Sequence, residues 1–184
     1  ESLSNQLIDG FEKKDEVDLL SAYTTPIPII VICELLGVPT EKADQLLSWS
    51  HDMVAMYMAR RDRAVEDAAV AATVAFSDYM LGLVKERRKD LRDDLLSALI
   101  RAETGGQKLS ENELITTAIL ILNAGHEATV NSIGNGVKTQ LERGTKEPIT
   151  ESLIEEILRF DAPLHLFTRY ALEDIEYAGI KLKK

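Results

Sequence analysis

The feature that most restricts the fold is one long helical signal. Ser110, followed three residues later by Glu113, has the form of a capping box, in which each side chain satisfies a free N–H at a helix start. It opens the longest candidate helix, roughly residues 111 to 142. Apolar residues at helical spacing recur before it, beginning with Leu3, Leu7, Ile8 and Phe11. PIPIIVICELLG starts after a proline and stops at Gly37 with Pro39 beyond, which reads as a short buried helix. VPTEKADQLLSWSHDMVAMYMA has Thr40 as a candidate N-cap. RDRAVEDAAVAATVAFSDYMLGLVKERRKD is long, Ala-rich and amphipathic, and DDLLSALIRAE ends near Gly105-Gly106. After a loop with Gly144 and Pro148, Thr150 caps a helix over ESLIEEILRF that ends by Pro163. From Leu166 the residues become β-type, with a turn at Ala178-Gly179, which predicts two or three strands. The expectation is a mainly α fold with a small β tail in a single partial domain. Helices fill 1–109, the long helix 110–143, a shorter one 150–162 and a β segment 166–184. Both ends read as parts of elements, as expected of a piece of a larger protein.

Within the long helix, NAGHEATVNSIGNG is rich in glycine, although each glycine in a helix interior costs roughly 1 kcal/mol relative to alanine. Residues three or four apart share a helix face, so Gly125 aligns with Ile121, Leu122, Ala128 and Thr129 in a small-residue notch. Two occupants fit such a notch. One is another helix, with Glu127 in solvent. The other is a flat ligand, with Glu127 placed to pass protons toward it, although Glu127 lies roughly 200° around the helix from Gly125. His126 reads as a hydrogen-bonded neighbour rather than a metal ligand. Gly134 and Gly136 read as sites of close packing.

Glu156 and Arg159, at i and i+3, can pair through the guanidinium fork. Surrounded by Leu153, Ile154, Ile157 and Leu158, they are expected to form a structural, partly buried pair. Arg169 lies in the apolar, strand-like HLFTRYAL and needs an anion. That partner is either a nearby acid such as Asp161 or a carboxylate on a bound ligand, for which arginine is well suited.

Composition removes several classes. Formal net charge is −10 over 184 residues, so there is no cationic excess to neutralise a nucleic-acid backbone. The basic cluster KERRKDLR reads as a solvated helix end. No apolar run approaches the length of about 18 residues that spans a membrane, and no signal-peptide pattern is present. Cys33 is the only cysteine and lies in an apolar run, which reads as a buried core thiol. Disulfides and Cys-rich metal sites are therefore excluded within the chain, and a reducing, cytoplasmic setting fits.

Taken in order, AGHEAT on a long helix, ExxR on the next, then PLHLFTR and EDIEYAGIKLKK resemble the central stretch of a bacterial cytochrome P450. TTPIPIIVICELLGVP resembles the helix upstream of that family's substrate-access region. The resemblance runs over essentially the whole chain and implies a haem-thiolate monooxygenase as the parent. That enzyme would hydroxylate an apolar small molecule with electrons from a ferredoxin and ferredoxin reductase, without nucleic acid or membrane. The long helix would cross the distal face of haem b, with Ala124 and Gly125 lining the oxygen-binding groove and Ala128 also at the cofactor. Glu127 would be the acid that assists proton delivery. Glu156 and Arg159 would be the structural ExxR pair, and Arg169 would pair with a haem propionate. Leu164, His165 and Leu166 would lie on the substrate side. Residues 41 to 90 would roof the pocket, where Met53, Met56 and Tyr57 are either core or substrate contacts.

Three departures accompany the resemblance. The family usually has threonine directly after the acid, where this chain has Ala128. Thr129, one residue later and about 100° further around, is a candidate catalytic hydroxyl only after local distortion, with a substrate hydroxyl or ordered water as other routes. The link from Gly136 to the ExxR helix is shorter than that family's usual link, and a helix that commonly sits there is expected to be missing. The thiolate ligand is expected in a Phe-Gly-rich loop beyond residue 184, so the chain by itself is expected to be inactive. Two other readings stay open: a P450-like protein that has lost haem and serves as a binding partner, and an unrelated helical binding module.

Overall fold

The computed structural model describes residues 1–58, 61–103, 109–144 and 148–184. Seven α-helices and a hairpin are present among them: α1 (Ser2–Asp9), α2 (Pro26–Leu36), α3 (Ala43–Val54), α4 (Arg63–Arg87), α5 (Leu95–Glu103), α6 (Glu111–Arg143), α7 (Glu151–Phe160), β1 (Ile175–Tyr177) and β2 (Ile180–Leu182). A π turn over Leu20–Thr24 leads into α2.

Local chemistry sets the boundaries. Ser110 and Glu113 form the complete capping box at the start of α6, and Gly144 ends that helix in the left-handed region. Thr150 caps α7 by accepting from the Leu153 N–H. Asp62, unmarked in the sequence reading, caps α4 by accepting from the Val65 N–H. Thr40 does not cap α3. It opens a short 3-10 turn, and the helix proper begins at Ala43. The expected stop at Gly105-Gly106 lies outside the described residues.

The core forms where α2, α3, α4 and α5 converge on the first half of α6. Ile32, Cys33 and Leu36 meet Leu46, Phe76, Met80, Leu96, Leu114, Ala118 and Leu122, all buried. Burying each large aliphatic or aromatic side chain contributes about 1.5–3 kcal/mol. Trp49 stacks at a tilt on Phe76 and Tyr79, fastening α3 to α4. Helix α4 is long and apolar enough by composition to cross a membrane. Its apolar content nevertheless includes a buried stripe, Ala69, Ala72, Phe76, Met80 and Val84, set between charged ends.

Two expectations change here. The basic cluster at the end of α4 is not wholly solvated. Arg87 is only 4% exposed, with Nη1 3.0 Å from Asp94 Oδ2 and Nη2 donating to the Gly37 carbonyl at 2.6 Å. A Cβ on Gly37 would overlap the Asp94 carboxylate, so the glycine that ends α2 also admits this clamp. Arg88, by contrast, reaches Glu111 at 2.9 Å on the surface. The second change concerns the tail. Strand structure is confined to the hairpin of β1 and β2, in register Ile175 to Leu182 and Tyr177 to Ile180. Residues 166–174, expected to be β, form no strand, because their backbone has no partner to build a ladder with.

Candidate functional site

The three glycines of α6 each receive a side chain from a neighbouring element. A Cβ on Gly125 would stand 2.9 Å from Ile32 Cδ1 of α2. At Gly134 the neighbour is Leu20 Cδ2 at 2.9 Å, and at Gly136 it is Ile157 Cγ2 of α7 at 3.1 Å. The notch at Gly125 is therefore filled by helix packing. This corrects the expectation that Gly125 gives clearance to a flat ligand.

The open surface of α6 lies one residue to the side. Ala124 and Ala128, at i and i+4, are both exposed, and Leu120 a turn earlier is also exposed. Together they make a smooth strip along the helix on which a planar group can lie close to the backbone. Thr129 is exposed as well, but its Oγ1 donates to the Gly125 carbonyl of its own helix at 2.8 Å. Its hydroxyl is thus engaged by the backbone, and a catalytic role for Thr129, expected only after a local distortion, would require that bond to break.

Glu127 borders this strip, half-exposed, with Oε1 4.0 Å from Nε2 of His51 on α3. His51 escaped the sequence reading, because nothing in the spacing of α3 indicates that it meets α6. The His51 ring also lies edge-on to His126, centroids 5.9 Å apart. His126 is 2% exposed, and neither ring nitrogen has a hydrogen-bond partner. Burial, followed by the proximity of His51, holds its pKa below the ordinary histidine value, while a hydrogen bond with the Thr25 backbone, outside strict geometry, acts the other way.

Glu156 and Arg159 pair through two bonds, both 2.7 Å. The pair is more than half exposed on both sides, not partly buried as expected. Ile157 turns toward Gly136 of α6, but no residue of α7 is buried in this chain, and Ile154 and Leu158 beside the pair are exposed as well. The bond from Arg159 lowers the Glu156 pKa and raises that of Arg159. Asn135 donates to the Asp161 carbonyl at 3.1 Å, tying α6 to the end of α7.

Leu164, His165, Leu166 and Arg169 all lie exposed on the extended segment after α7. Asp161 stands 4.0 Å from His165, not beside Arg169. Arg169 donates to the Thr168 carbonyl and lies over the Phe167 ring. Among the described residues it has no carboxylate partner. Met53 and Met56 line an open groove of about 500 Å³ with Glu66, Asp67 and Val70 of α4, while Tyr57 is exposed.

The arrangement is a mainly α fold whose long helix presents an open strip with an acid at its border. No family model matches the chain. It is 35% identical over 192 residues to the polyketide biosynthesis cytochrome P450 PksS of Bacillus subtilis, covering 100% of this chain and 46% of that protein. It is 36% identical to the vitamin D(3) 25-hydroxylase of Pseudonocardia autotrophica, covering 98% and 45%. Among solved structures, CYP109E1 from Bacillus megaterium in complex with testosterone superposes with a TM-score of 0.88 at 29% identity, covering 99% of this chain and 50% of that one. The chain belongs to the cytochrome P450 family, of the bacterial type, and forms a central portion of that fold. It spans about half the length of the curated relatives it matches. A packed Gly125 is also what an unrelated helical module would show, and the relatives decide against that reading.

Haem is the group this family implies, and the residues of the α6 strip fit a flat apolar group. The strip at Leu120, Ala124 and Ala128 is open and apolar, and Arg169 has no acid of its own among the described residues. Cys33 does not fit as an iron ligand. It is fully buried, and burial together with the Glu34 charge pushes its thiol up to about 11.

Proposed function

We propose that the parent protein is a haem-thiolate monooxygenase in which this chain forms the distal wall. The observation that carries the reading is the open strip of Ala124 and Ala128 with Glu127 at its edge. Haem, bound through a cysteine outside this chain, would supply the oxygen-activating chemistry. The small side chains of Ala124 and Ala128 let a flat ligand approach the α6 backbone. Glu127 places its carboxylate beside that approach, where a group that passes protons is needed. Arg169 offers its guanidinium fork to a propionate, and Glu156 and Arg159 serve as a structural pair on α7. Leu164, His165 and Leu166 face the substrate.

The substrate is an apolar small molecule. Supporting this are a relative named for vitamin D(3) hydroxylation and a structural neighbour holding testosterone, together with the exposed Leu164 and Leu166. Electrons come from a ferredoxin-type partner in the cytoplasm, and the chain alone does not turn over. The test is the reduced, carbon-monoxide-bound spectrum of the full-length protein. A band at the thiolate position is expected, and a colourless protein would overturn the reading in favour of a haem-less binding partner.

A further inference from the structure

The seam between α3 and α6 holds a cluster of polar groups, of which the proposed distal wall uses only Glu127. His51 and Glu127 approach to 4.0 Å, each about half exposed. One turn earlier on α6, Asn123 donates to the Met53 sulfur of α3 at 3.8 Å. The same two helices carry polar atoms with no partner: Asn123 Oδ1, both nitrogens of His126, and Ser50 Oγ. Ser50 and His126 are almost fully buried. An unsatisfied buried group is costly, and native proteins keep few of them. Several on two facing helices, beside an acid, mark a seam built for polar traffic.

We propose that His51 is a positioning residue for Glu127, holding the carboxylate at the edge of the strip and handing it protons from solvent. The proposal rests on the reading of Glu127 as the relay acid. The gap of 4.0 Å is within reach of a small side-chain rotation or a single bridging water. His51 is open to solvent on one side and faces Glu127 and His126 on the other. Among the described residues Glu127 is its one ion-pair partner. His51 also lies in the last turn of α3, the helix end that accommodates a cation. The transfer is balanced without any co-reactant: a proton passes from water to the imidazole, from Nε2 to the Glu127 carboxylate, and from there to the open strip. Because α3 belongs to the roof over the pocket, a shift of α3 changes the reach of His51, and proton supply becomes coupled to roof position.

The experiment uses the full-length haem-loaded protein and measures the share of reducing equivalents lost as peroxide, with substrate affinity read separately from the spectral shift on binding. His51→Phe is expected to raise peroxide loss roughly tenfold, below the full range of general acid–base effects, with substrate affinity unchanged. His51→Lys is expected to restore coupling, which a merely structural role would not. A second readout is the histidine ring signals in nuclear magnetic resonance: Glu127→Gln is expected to move those of His51. Normal coupling in His51→Phe alongside poor coupling in Glu127→Gln would overturn the role of His51 alone. Normal coupling in Glu127→Gln would overturn the relay reading itself, and the role of His51 with it.

Discussion

Ile32 places its Cδ1 2.9 Å from where a Cβ on Gly125 would stand, so the glycine of AGHEAT joins two helices. An overpacked core site costs about 1–3 kcal/mol. Gly125→Val is therefore expected to lower the melting temperature by that free energy, and Ile32→Ala in the same protein to recover much of it. Thermal unfolding of the single and double variants checks this. Additive losses would mean that the two positions do not meet.

The buried clamp between Arg87 and Asp94 gives a second stability prediction. Removing one partner of a buried pair leaves a charge without compensation, at a cost of about 3–5 kcal/mol. Asp94→Ala is expected to fall in that range by denaturant unfolding. Arg88→Ala, on the surface, is expected to cost far less.

Histidine 126 supplies a pH dependence. Its folded pKa lies below the ordinary 6.5, through burial first and the proximity of His51 second. Above about pH 6.5 both folded and unfolded chains are neutral at this position, and the full stability is present. As pH falls from there toward the folded value, the unfolded chain takes up the proton first and stability declines. Melting temperatures between pH 7 and pH 5 are expected to fall more steeply in the wild type than in His126→Phe. Equal slopes would contradict the assignment.

The sequence revealed some of this architecture and hid the rest for physical reasons. The capping box at Ser110, the stop at Gly37 and the helix at Thr150 are local, because a cap is made by residues three apart. The order of AGHEAT and ExxR pointed to the family. What Gly125 faces was not legible, because its partner Ile32 lies on another helix and periodicity names a face without naming its neighbour. His51 stayed hidden for the same reason. The Glu156–Arg159 pair was expected to be partly buried because of its apolar neighbours in sequence, but in this chain α7 buries none of its residues.

Ala128 is exposed on the open strip, while the Thr129 hydroxyl is tied to the Gly125 carbonyl. If position 128 faces the reacting groups, Ala128→Thr adds a hydroxyl where the chain has none. In the full-length enzyme it is expected to change turnover and reduce peroxide leakage. Leakage and turnover both equal to wild type would contradict a role for this position in proton delivery.

The central claim is that the strip at Ala124 and Ala128, not the glycine notch, is the surface that meets the haem. The direct measurement is carbon monoxide binding to the reduced full-length protein carrying Ala124→Phe. If the strip meets the haem, the larger side chain crowds that face, and folded, haem-loaded Ala124→Phe is expected to show a strongly slowed or abolished carbon monoxide band. Unchanged carbon monoxide binding in a folded, haem-loaded Ala124→Phe would contradict it.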